Sequence, residues 1–402
     1  MENLALPIQV KNSKERRVLN IIRLYGEVSG AQIARISNIL PSTIVYILRS
    51  LKKKELIQVS RIGNSTVVGG KPPTLWQLRS DRGVMIGLEV IPKEIRSSIV
   101  DFSNKIIFQE KKQSTTPLNG ENLIESVSAY VRDLMGRQGL SAEKMIGLGV
   151  ALPGLVDSKN GVVRYSKSLK IKNLQLGEHL SQALGLPVRV ANDANAGALG
   201  IRWYPNSMDE LPEDIVYLTI NEDFFSIGAG LIMGHKLYEG HSGTAGEIFP
   251  ILPPISKLVK KAAEKFGAEA PAIQALSQQK DVLFSDLLKC SLKNPRVANF
   301  VFRNIGSIVS KKIIDIVALV NPELIVIGGD ISQVSFFIKE YLKPYVKRKS
   351  AELFPTGISL PPIEFSKFGI YSVSVGATAL LLREIFSKDD SNLSSALKRT
   401  AV

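Results

Sequence analysis

The spacing of hydrophobic residues divides the chain into two parts. Between residues 14 and 54, apolar side chains recur every three to four positions, which predicts three short amphipathic helices joined by tight turns. Ser29 precedes the second helix as a cap, and the third helix begins near Pro41–Ser42. Residues 57–78 then alternate β-branched and polar side chains around glycines, as the two strands of a wing would. The pattern therefore predicts a winged helix-turn-helix domain over residues 1–78.

Positive charge is concentrated in this N-terminal domain. Residues 1–78 contain 12 Lys and Arg but only 4 Asp and Glu, so they carry +8 of the net charge of +14. Clustered positive charge indicates a polyanion partner, although a solvated basic surface is a common alternative. Charge, helix lengths and wing pattern together favour DNA binding over a domain that contacts only other proteins.

The third helix is the predicted recognition helix of this domain. The residues expected to face a major groove are Ser42, Thr43, Val45, Tyr46 and Arg49. The residues expected to contact phosphates are Lys52, Lys53, Lys54, Arg61 and Lys71. The phosphate contacts supply salt-dependent affinity, whereas Thr43 and Tyr46 are expected to determine the sequence specificity through contacts to bases. If the domain bound only protein, apolar residues such as Val45 would simply be core.

Beyond residue 80, predicted strands and helices alternate along the chain. Three strands over 83–112 form a meander, and further strands follow at intervals up to the segment ELIVIGGD. Such alternation predicts two α/β lobes with a cleft between them, joined to the winged helix by a linker near 79–83. The predicted first lobe comprises residues 79–193 plus 370–388, and the second comprises residues 194–369.

Asn192 and Asp193 stand where a predicted strand gives way to a predicted helix, in the stretch PVRVANDANAGALG. Asn and Asp are preferred helix caps, because their side-chain oxygens accept hydrogen bonds from N–H groups of the first turn. The ends of strands in open α/β sheets are also where ligands bind, so a carboxylate there can hold or deprotonate a hydroxyl. These residues alone leave both interpretations open.

Four segments, in order along the chain, resemble the ROK family of sugar kinases and sugar-responsive repressors. They are IGLGVALPGLVDSKNGVV, VANDANAGALG, GAGLIMGHKLYEGHSGTAGEI and NPELIVIGGD, and they span nearly all of residues 80–385. A winged helix in front, with GGKPP near its end, is similar to the repressor branch of that family. The resemblance implies an actin-like ATPase fold, with two ribonuclease-H-like α/β lobes around a ligand cleft.

The resemblance also implies a site for sugar hydroxyls. The residues that match the family's sugar pocket are Gly154, Ser166, Ser168, Asn192, Asp193 and Glu247. In family kinases the Asp at the place of Asp193 is the general base, and here we expect it to be a vestigial base in an effector site. Carboxylates suit a neutral polyol, because each can accept two hydroxyl hydrogen bonds.

The phosphate-binding loops depart from the family's pattern. Where the family has Asp-x-Gly-Gly-Thr, this chain has EVIPK, with Glu89 at the acidic place and Ile91 and Pro92 where glycines belong. Pro92 adds a ring and has no N–H donor for a phosphate. In the second loop, the acidic and bulky residues are Glu222, Asp223, Phe224 and Phe225. We therefore expect no ATP binding in the family's mode and no enzymatic activity.

Metal and cofactor sites are not expected. The family's zinc-binding histidine follows Gly-Glu-Ile, where this chain has Phe249–Pro250, and Cys290 is the only cysteine. Structural zinc needs about four nitrogen or sulfur ligands. His235 and His241 are expected at solvent-facing turns. Because no apolar run approaches the roughly 18–20 residues of a membrane span, we expect a cytoplasmic protein without a membrane partner.

These features predict a sugar- or polyol-responsive repressor of carbohydrate metabolism that binds operator DNA as a homodimer or homotetramer. One alternative is a ROK-type sugar kinase with an attached regulatory domain, which rests on Asp193 at the place of the base. Another is a degenerate domain used only for oligomerisation, in which Asn192 and Asp193 only cap a helix.

Overall fold

The computed structural model describes most of the chain. The described residues are 4–63, 72–205, 212–222, 227–248, 255–267, 271–279, 282–353 and 360–386. The helices are α1 (Ser13–Tyr25), α2 (Gly30–Ser37), α3 (Pro41–Lys53), α4 (Leu123–Arg137), α5 (Leu176–Leu184), α6 (Asp193–Trp203), α7 (Ile255–Phe266), α8 (Pro271–Ser277), α9 (Phe284–Lys293), α10 (Pro295–Val320), α11 (Lys343–Leu353) and α12 (Ser372–Phe386). The strands are β1 (Val28–Ser29), β2 (Ile57–Ile62), β3 (Thr74–Leu78), β4 (Val84–Ile91), β5 (Glu94–Asp101), β6 (Ile106–Gln113), β7 (Met145–Leu152), β8 (Leu155–Asp157), β9 (Val162–Ser166), β10 (Ile171–Leu174), β11 (Val188–Asn192), β12 (Ile215–Ile220), β13 (Ile227–Met233), β14 (Lys236–Leu237), β15 (Glu247–Ile248), β16 (Leu324–Gly328) and β17 (Ile363–Phe365).

The N-terminal domain has the predicted three helices and two wing strands. Ser29 caps α2 through a capping box, in which its Oγ accepts from the Gln32 N–H at 3.2 Å and its own N–H donates to the Gln32 side chain at 2.9 Å. Pro41 is the first residue of α3, where its missing N–H costs nothing. Strand β3 pairs with both β1 and β2. Tyr25, at the end of α1, is exposed.

The first α/β sheet has the strand order β11-β7-β4-β5-β6. Strands β4, β5 and β6 form the predicted antiparallel meander, and β7 and β11 add in parallel. Strands β4 and β7 are buried along their whole length, as expected for strands covered on both faces. Parallel alignment of β7 and β11 brings the residues that follow Leu152 beside Asn192.

The second sheet repeats this arrangement. Its order is β14-β13-β12-β16-β17, with β15 paired to β13. Strand β12 is antiparallel to β13 and parallel to β16, and β17 adds to β16 in parallel. Helices α7, α9 and α10 contribute apolar side chains to the core on this sheet. Each sheet is thus a meander followed by two parallel strands, which confirms the predicted fold class.

Helix α12 is a core helix of the first unit described below. A Cβ on Gly149 would lie 2.0 Å from the Ala377 carbonyl oxygen, so only glycine lets this helix approach the centre of the sheet. The Ser374 and Ser98 hydroxyls hydrogen bond at 2.8 Å. Among the described helices, the segment Gly369–Phe386 is long and apolar enough for a membrane span, with a mean hydropathy of 1.3, but 72% of it is buried within the protein.

The described residues form two compact units. One contains residues up to 205 together with 234–236 and 374–386, and the other contains the remaining described residues from 212 to 373. The winged helix and the first α/β sheet share one unit, so compactness does not separate them, and the predicted domain boundaries stay a prediction.

Regular structure also occurs in the segment that follows β7. Residues 153–169 contain β8 and β9, which with β10 form a small antiparallel sheet in the order β10-β9-β8. Strand β8 has three residues and β9 has five, with a turn at Asn160–Gly161 between them. Strands this short show too few alternations to be recognised from the sequence.

Candidate effector site and nucleic-acid interface

The side chain of Asn192 performs two tasks at the end of β11. Its Oδ1 accepts a hydrogen bond from the Asn195 N–H at 3.1 Å and so caps α6. Its Nδ2 donates to the Gly154 carbonyl oxygen at 3.0 Å and so ties the loop after β7 to the helix start. The capping interpretation is therefore correct for Asn192, and the same amide also fixes the predicted pocket loop.

Asp193 is the first residue of α6 and is 7% exposed. Its Oδ1 accepts from the Ala194 N–H at 2.9 Å. The unpaired N–H groups and the dipole of a helix N-terminus favour negative charge at this place. Such a carboxylate can accept a hydroxyl hydrogen bond from a ligand, which is the chemistry predicted for it.

The predicted pocket loop is built on Gly154 and Ser166. Gly154 has φ 136°, and a Cβ there would lie 2.4 Å from the Tyr165 carbonyl oxygen, so the position requires glycine. Ser166 is fully buried and donates its hydroxyl hydrogen to the Pro153 carbonyl at 2.5 Å. Ser168 is half-buried and lies 3.3 Å from Ser166, hydroxyl to hydroxyl. Ser166 therefore supports the loop, and Ser168 is the better placed of the two serines to meet a ligand.

Glu247 belongs to the second unit. It lies in β15, opposite Gly228 of β13. Its side chain is exposed, yet surrounding protein atoms displace enough water to raise the pKa of its carboxyl above the ordinary value. A hydroxyl that donates a hydrogen bond stabilises the ionised form of such a carboxyl, which is consistent with the role of sugar ligand predicted for Glu247.

The histidines differ from the prediction in one case. His241 is exposed, as expected, but His235 is buried, with only 6% of its surface exposed at a residue with φ 66°. A short turn after Gly234 folds the imidazole inward, which sequence spacing does not reveal. Within the described ranges, no group of three or more His, Cys, Asp or Glu side chains is placed to hold a metal ion. Phe249–Pro250 lies outside those ranges.

The segment at the place of the first phosphate loop is a tight β-hairpin. Ile91 pairs with Glu94, which leaves Pro92 and Lys93 as the two turn residues. The Pro92 carbonyl accepts from the Leu118 N–H at 2.7 Å, and the Lys93 carbonyl accepts from the Ser114 N–H at 2.7 Å. The carbonyl oxygens of both turn residues are thus engaged within the protein, and Pro92 has no N–H that could bind a phosphate.

Three buried charged residues stabilise this hairpin. Arg96 is 1% exposed and lies 3.3 Å from the Glu89 carboxylate, which is fully buried. Its Nε donates to Glu94 at 2.6 Å, and Gln113 donates to the other Glu94 oxygen at 2.5 Å. The acid at the place of the family's phosphate-loop Asp therefore neutralises an internal arginine. This cluster was not predicted, although charges at alternate positions of apolar strands were its signal in the sequence.

Glu222, in the second loop, is also engaged internally. Its carboxylate accepts from the Phe284 N–H at the start of α9, and its own N–H donates to the Asp330 carboxylate at 3.0 Å. This carboxylate therefore caps a helix. Residues 223–225 lie outside the described part of the chain.

The third helix presents a continuous polar and aromatic face. Its buried residues are Ile44, Ile47, Leu48 and Leu51. Its exposed residues include Ser42, Val45, Tyr46, Arg49, Lys52 and Lys53, and Thr43 is half-buried. Val45 and Tyr46 are 49% and 74% exposed, so Val45 is not core. No ion pair involves Arg49, Lys52 or Lys53 among the described residues, so their charges are available to a polyanion.

Two of the predicted phosphate contacts are paired within the protein. Arg61 forms an ion pair with Glu27 at 2.9 Å, and both side chains are exposed. Lys54 pairs with Glu15 of α1, and Ser50 donates to the same carboxylate at 2.6 Å. Burial opposes ionisation of Glu15, but these hydrogen bonds hold its pKa below the ordinary value. Lys71 lies outside the described residues.

A buried arginine joins the winged helix to the end of α6. Arg23 of α1 is 9% exposed, and its guanidinium donates to the Trp203 carbonyl at 2.8 Å and lies 4.6 Å from the centre of the Trp203 ring. Asn20 accepts from its Nε at 2.8 Å. Since α6 has 11 residues, about 16 Å of helix separates this contact from Asp193. This contact was not predicted, because helical spacing does not show which arginine will be buried.

Comparison with known families identifies the chain. The sequence profile of the ROK family matches residues 85–384. The chain belongs to the ROK family. ROK relatives with similar sequences include the xylose repressor of Caldicellulosiruptor bescii, 23% identical over 386 residues, which cover 90% of this chain and 93% of that protein. The DNA-binding transcriptional repressor Mlc of Escherichia coli K12 is 22% identical, with coverage of 90% and 91%.

Solved ROK structures support the same fold. A ROK family transcriptional regulator, a homologue of the E. coli Mlc protein, matches with a TM-score of 0.68 at 20% identity and covers 96% of this chain and 98% of its own. A ROK family glucokinase from Streptomyces griseus, in complex with glucose and AMPPNP, matches with a TM-score of 0.62 at 22% identity, and covers 74% of this chain and 99% of its own. The regulator thus spans the winged helix as well as the two α/β sheets.

Proposed function

We propose that this protein is a transcriptional repressor of carbohydrate metabolism that binds operator DNA and responds to a sugar or polyol. The observation that carries the proposal is the presence, in one compact unit, of an exposed basic recognition helix and of the predicted hydroxyl-binding loop at Asn192 and Asp193. The relatives named as repressors match over nine tenths of the chain, which supports the same function.

Operator contact involves the exposed face of α3. Tyr46 and Thr43 read base edges, and Lys52 and Lys53 contact phosphates. Arg61 reaches DNA only by exchanging its partner Glu27 for a phosphate, so its contribution to affinity is smaller than that of an unpaired lysine. Lys71 remains a predicted contact.

The effector site uses Asp193 and Asn192 at the start of α6, with Gly154, Ser166 and Ser168 shaping the adjoining loop. Glu247 remains a predicted ligand of the same sugar, on the strength of its match to the family's motif. The ligand of this site is a sugar or polyol, because carboxylate and amide oxygens accept hydroxyl hydrogen bonds.

Helix α6 carries the signal between the two sites. Its N-terminus holds Asn192 and Asp193, and its C-terminal Trp203 is bound by Arg23 of the winged helix. A Cβ on Gly376 would lie 1.8 Å from the Ala196 carbonyl, so α6 is packed against α12 at backbone contact and moves as a rigid rod. A ligand that shifts the start of α6 therefore displaces α1. This requires that the ligand bind the protein with different affinity in the two positions of α6.

Kinase activity is lost in this proposal. The hairpin at Pro92 and the ion pair of Glu89 with Arg96 support this loss, because the turn engages its carbonyl oxygens and the acid is occupied inside the protein. A sugar kinase is the second candidate, favoured by the position of Asp193 at the start of α6. A coupled assay of ATP consumption with a sugar panel separates the two. Turnover that disappears in Asp193→Asn would establish the kinase and contradict the repressor.

Oligomeric state and cellular location follow from the proposed function. A homodimer or homotetramer places two winged helices on half-sites about one helical turn apart. Operator binding requires the compartment that holds the chromosome, which is the cytoplasm. Gel-shift titration of genomic fragments, in the presence and absence of sugars, tests the proposal as a whole. Failure to bind any fragment more tightly than random DNA would refute it.

A further inference from the structure

A cavity in the second unit lies apart from every residue assigned so far. Its volume is about 440 Å³, within the range of about 300–1,000 Å³ typical of small-molecule sites. It opens between the end of α7 and the first half of α10. The α10 residues that line it are spaced three or four apart, so they form one stripe of that helix.

Three cations surround this cavity. Lys265 comes from α7, and Arg296 and Arg303 come from α10. All three side chains are exposed, and none of the described residues that line the cavity is a carboxylate. Within the described part of the chain, no ion pair involves Lys265 or Arg303. Lys265 and Arg303 therefore bring uncompensated positive charge to one concave space, which favours a compact anion, and guanidinium groups match phosphate oxygens in particular.

The walls between the cations are aromatic. Phe266 and Phe300 meet edge to face with ring centres 5.8 Å apart. The Lys265 ammonium lies 5.4 Å from the Phe266 ring centre and 5.2 Å from the Phe300 ring centre. These cation–π contacts, rather than a carboxylate, position the ammonium beside the cavity. Half-buried rings of this kind offer apolar surface to the C–H face of a ligand.

Two amides complete the set. Asn304 donates its amide N–H to the Phe300 carbonyl at 2.7 Å, which leaves its amide oxygen as an acceptor. Asn299 accepts from the Tyr341 hydroxyl, which leaves its amide nitrogen as a donor. One acceptor and one donor suit hydroxyl groups, which both donate and accept.

We propose that this cavity is a second ligand site, which binds a phosphorylated sugar through Lys265, Arg296 and Arg303. The rings contact the sugar's C–H face, and Asn299 and Asn304 bind its hydroxyls. The inference does not rest on the proposed DNA binding or on the site at Asp193. A concave site of this volume fits a small anion better than an acidic protein surface, which would need a larger interface.

Isothermal titration calorimetry of the full chain tests the proposal. The probes are glucose 6-phosphate, fructose 6-phosphate and a pentose 5-phosphate, with glucose and inorganic phosphate as partial ligands. We expect at least one sugar phosphate to bind saturably, and more tightly than either partial ligand. Arg303→Gln or Arg296→Gln should weaken binding roughly ten- to a hundredfold, as for loss of one charge-assisted hydrogen bond.

The matched control is Lys260→Gln, which removes an exposed positive charge from α7 outside the cavity lining and should leave binding unchanged. The titrations are repeated in an Asp193→Ala background, where Arg303→Gln and Arg296→Gln should still weaken sugar phosphate binding, so failure here is distinct from failure of the effector site. Absence of saturable binding by the sugar phosphates would overturn the proposal. So would equal affinity for inorganic phosphate, or affinity that is insensitive to Arg303→Gln and Arg296→Gln.

Discussion

Removal of the Arg23 side chain should uncouple the winged helix from α6. Arg23→Ala loses a charge-assisted hydrogen bond to the Trp203 carbonyl, a contact of about 1.5–3 kcal/mol. It also loses a buried cation–π contact with the Trp203 ring, of about 0.5–2 kcal/mol. Truncation should therefore lower the free energy of unfolding measured at α6 by about 2–5 kcal/mol. That is enough to carry a coupling free energy of about 1–3 kcal/mol between two sites.

Trp203 provides the assay, because the chain has only two tryptophans. In a Trp76→Phe background, Trp203 is the sole tryptophan, and its 2% exposure should give a blue-shifted emission that moves to the red in Arg23→Ala. Urea unfolding followed at this fluorophore measures the free energy. The same variant should bind operator DNA but respond weakly to effector.

Arg35→Ala is the matched control, since Arg35 is an exposed arginine on α2 of the same domain. It should change neither the emission of Trp203 nor the effector response. If Arg23→Ala resembles Arg35→Ala in stability and keeps the full effector response, α6 does not transmit the signal.

Three further results are expected. Arg96→Met should destabilise the protein by about 3–5 kcal/mol in thermal or urea unfolding, because it leaves the buried carboxylate of Glu89 without its partner. Adding Glu89→Gln should restore much of the lost stability. If Arg96→Met alone leaves the stability unchanged, the cluster is not structural. The winged helix should lose stability as the pH falls through the pKa of Glu15 in the folded protein, which lies below the ordinary 4.5. The ion pair with Lys54 stabilises the fold only while Glu15 is ionised. Unfolding followed by circular dichroism should be less sensitive to acid in Glu15→Gln, and equal sensitivity would contradict a stabilising role for this ion pair. Lys53→Gln should reduce the slope of log affinity against log salt by about 0.9, whereas Tyr46→Ala should alter base preference and leave that slope unchanged. If Tyr46→Ala changes the slope and Lys53→Gln changes base preference, Tyr46 contacts phosphate and Lys53 contacts bases.

The fold could be predicted from the sequence where the pattern was long and periodic. Strands of eight residues such as β4 and β7 and the helix starts at Ser29 and Pro41 follow directly from apolar spacing and caps. The small sheet of β8, β9 and β10 was missed, because each of its strands is too short to show a period.

The site was predictable in its residues but not in its contacts. Asn192 was recognised as either a cap or a ligand, yet only the structure shows that its amide caps α6 with one atom and holds Gly154 with the other. Burial of His235 and pairing of Arg61 with Glu27 depend on residues distant in the sequence or on turn geometry. Such contacts leave no periodic signal, so spacing alone does not predict them.

The most direct test of the account is operator affinity measured against effector concentration. Fluorescence anisotropy with labelled operator DNA, at one fixed salt concentration, should be run with a panel of sugars and polyols on the wild type and on Asp193→Ala. At least one compound should change the wild-type Kd by about 5–150-fold, and Asp193→Ala should bind the DNA but lose that response. If no compound changes the Kd, or if Asp193→Ala responds as the wild type does, this protein does not sense a sugar through α6.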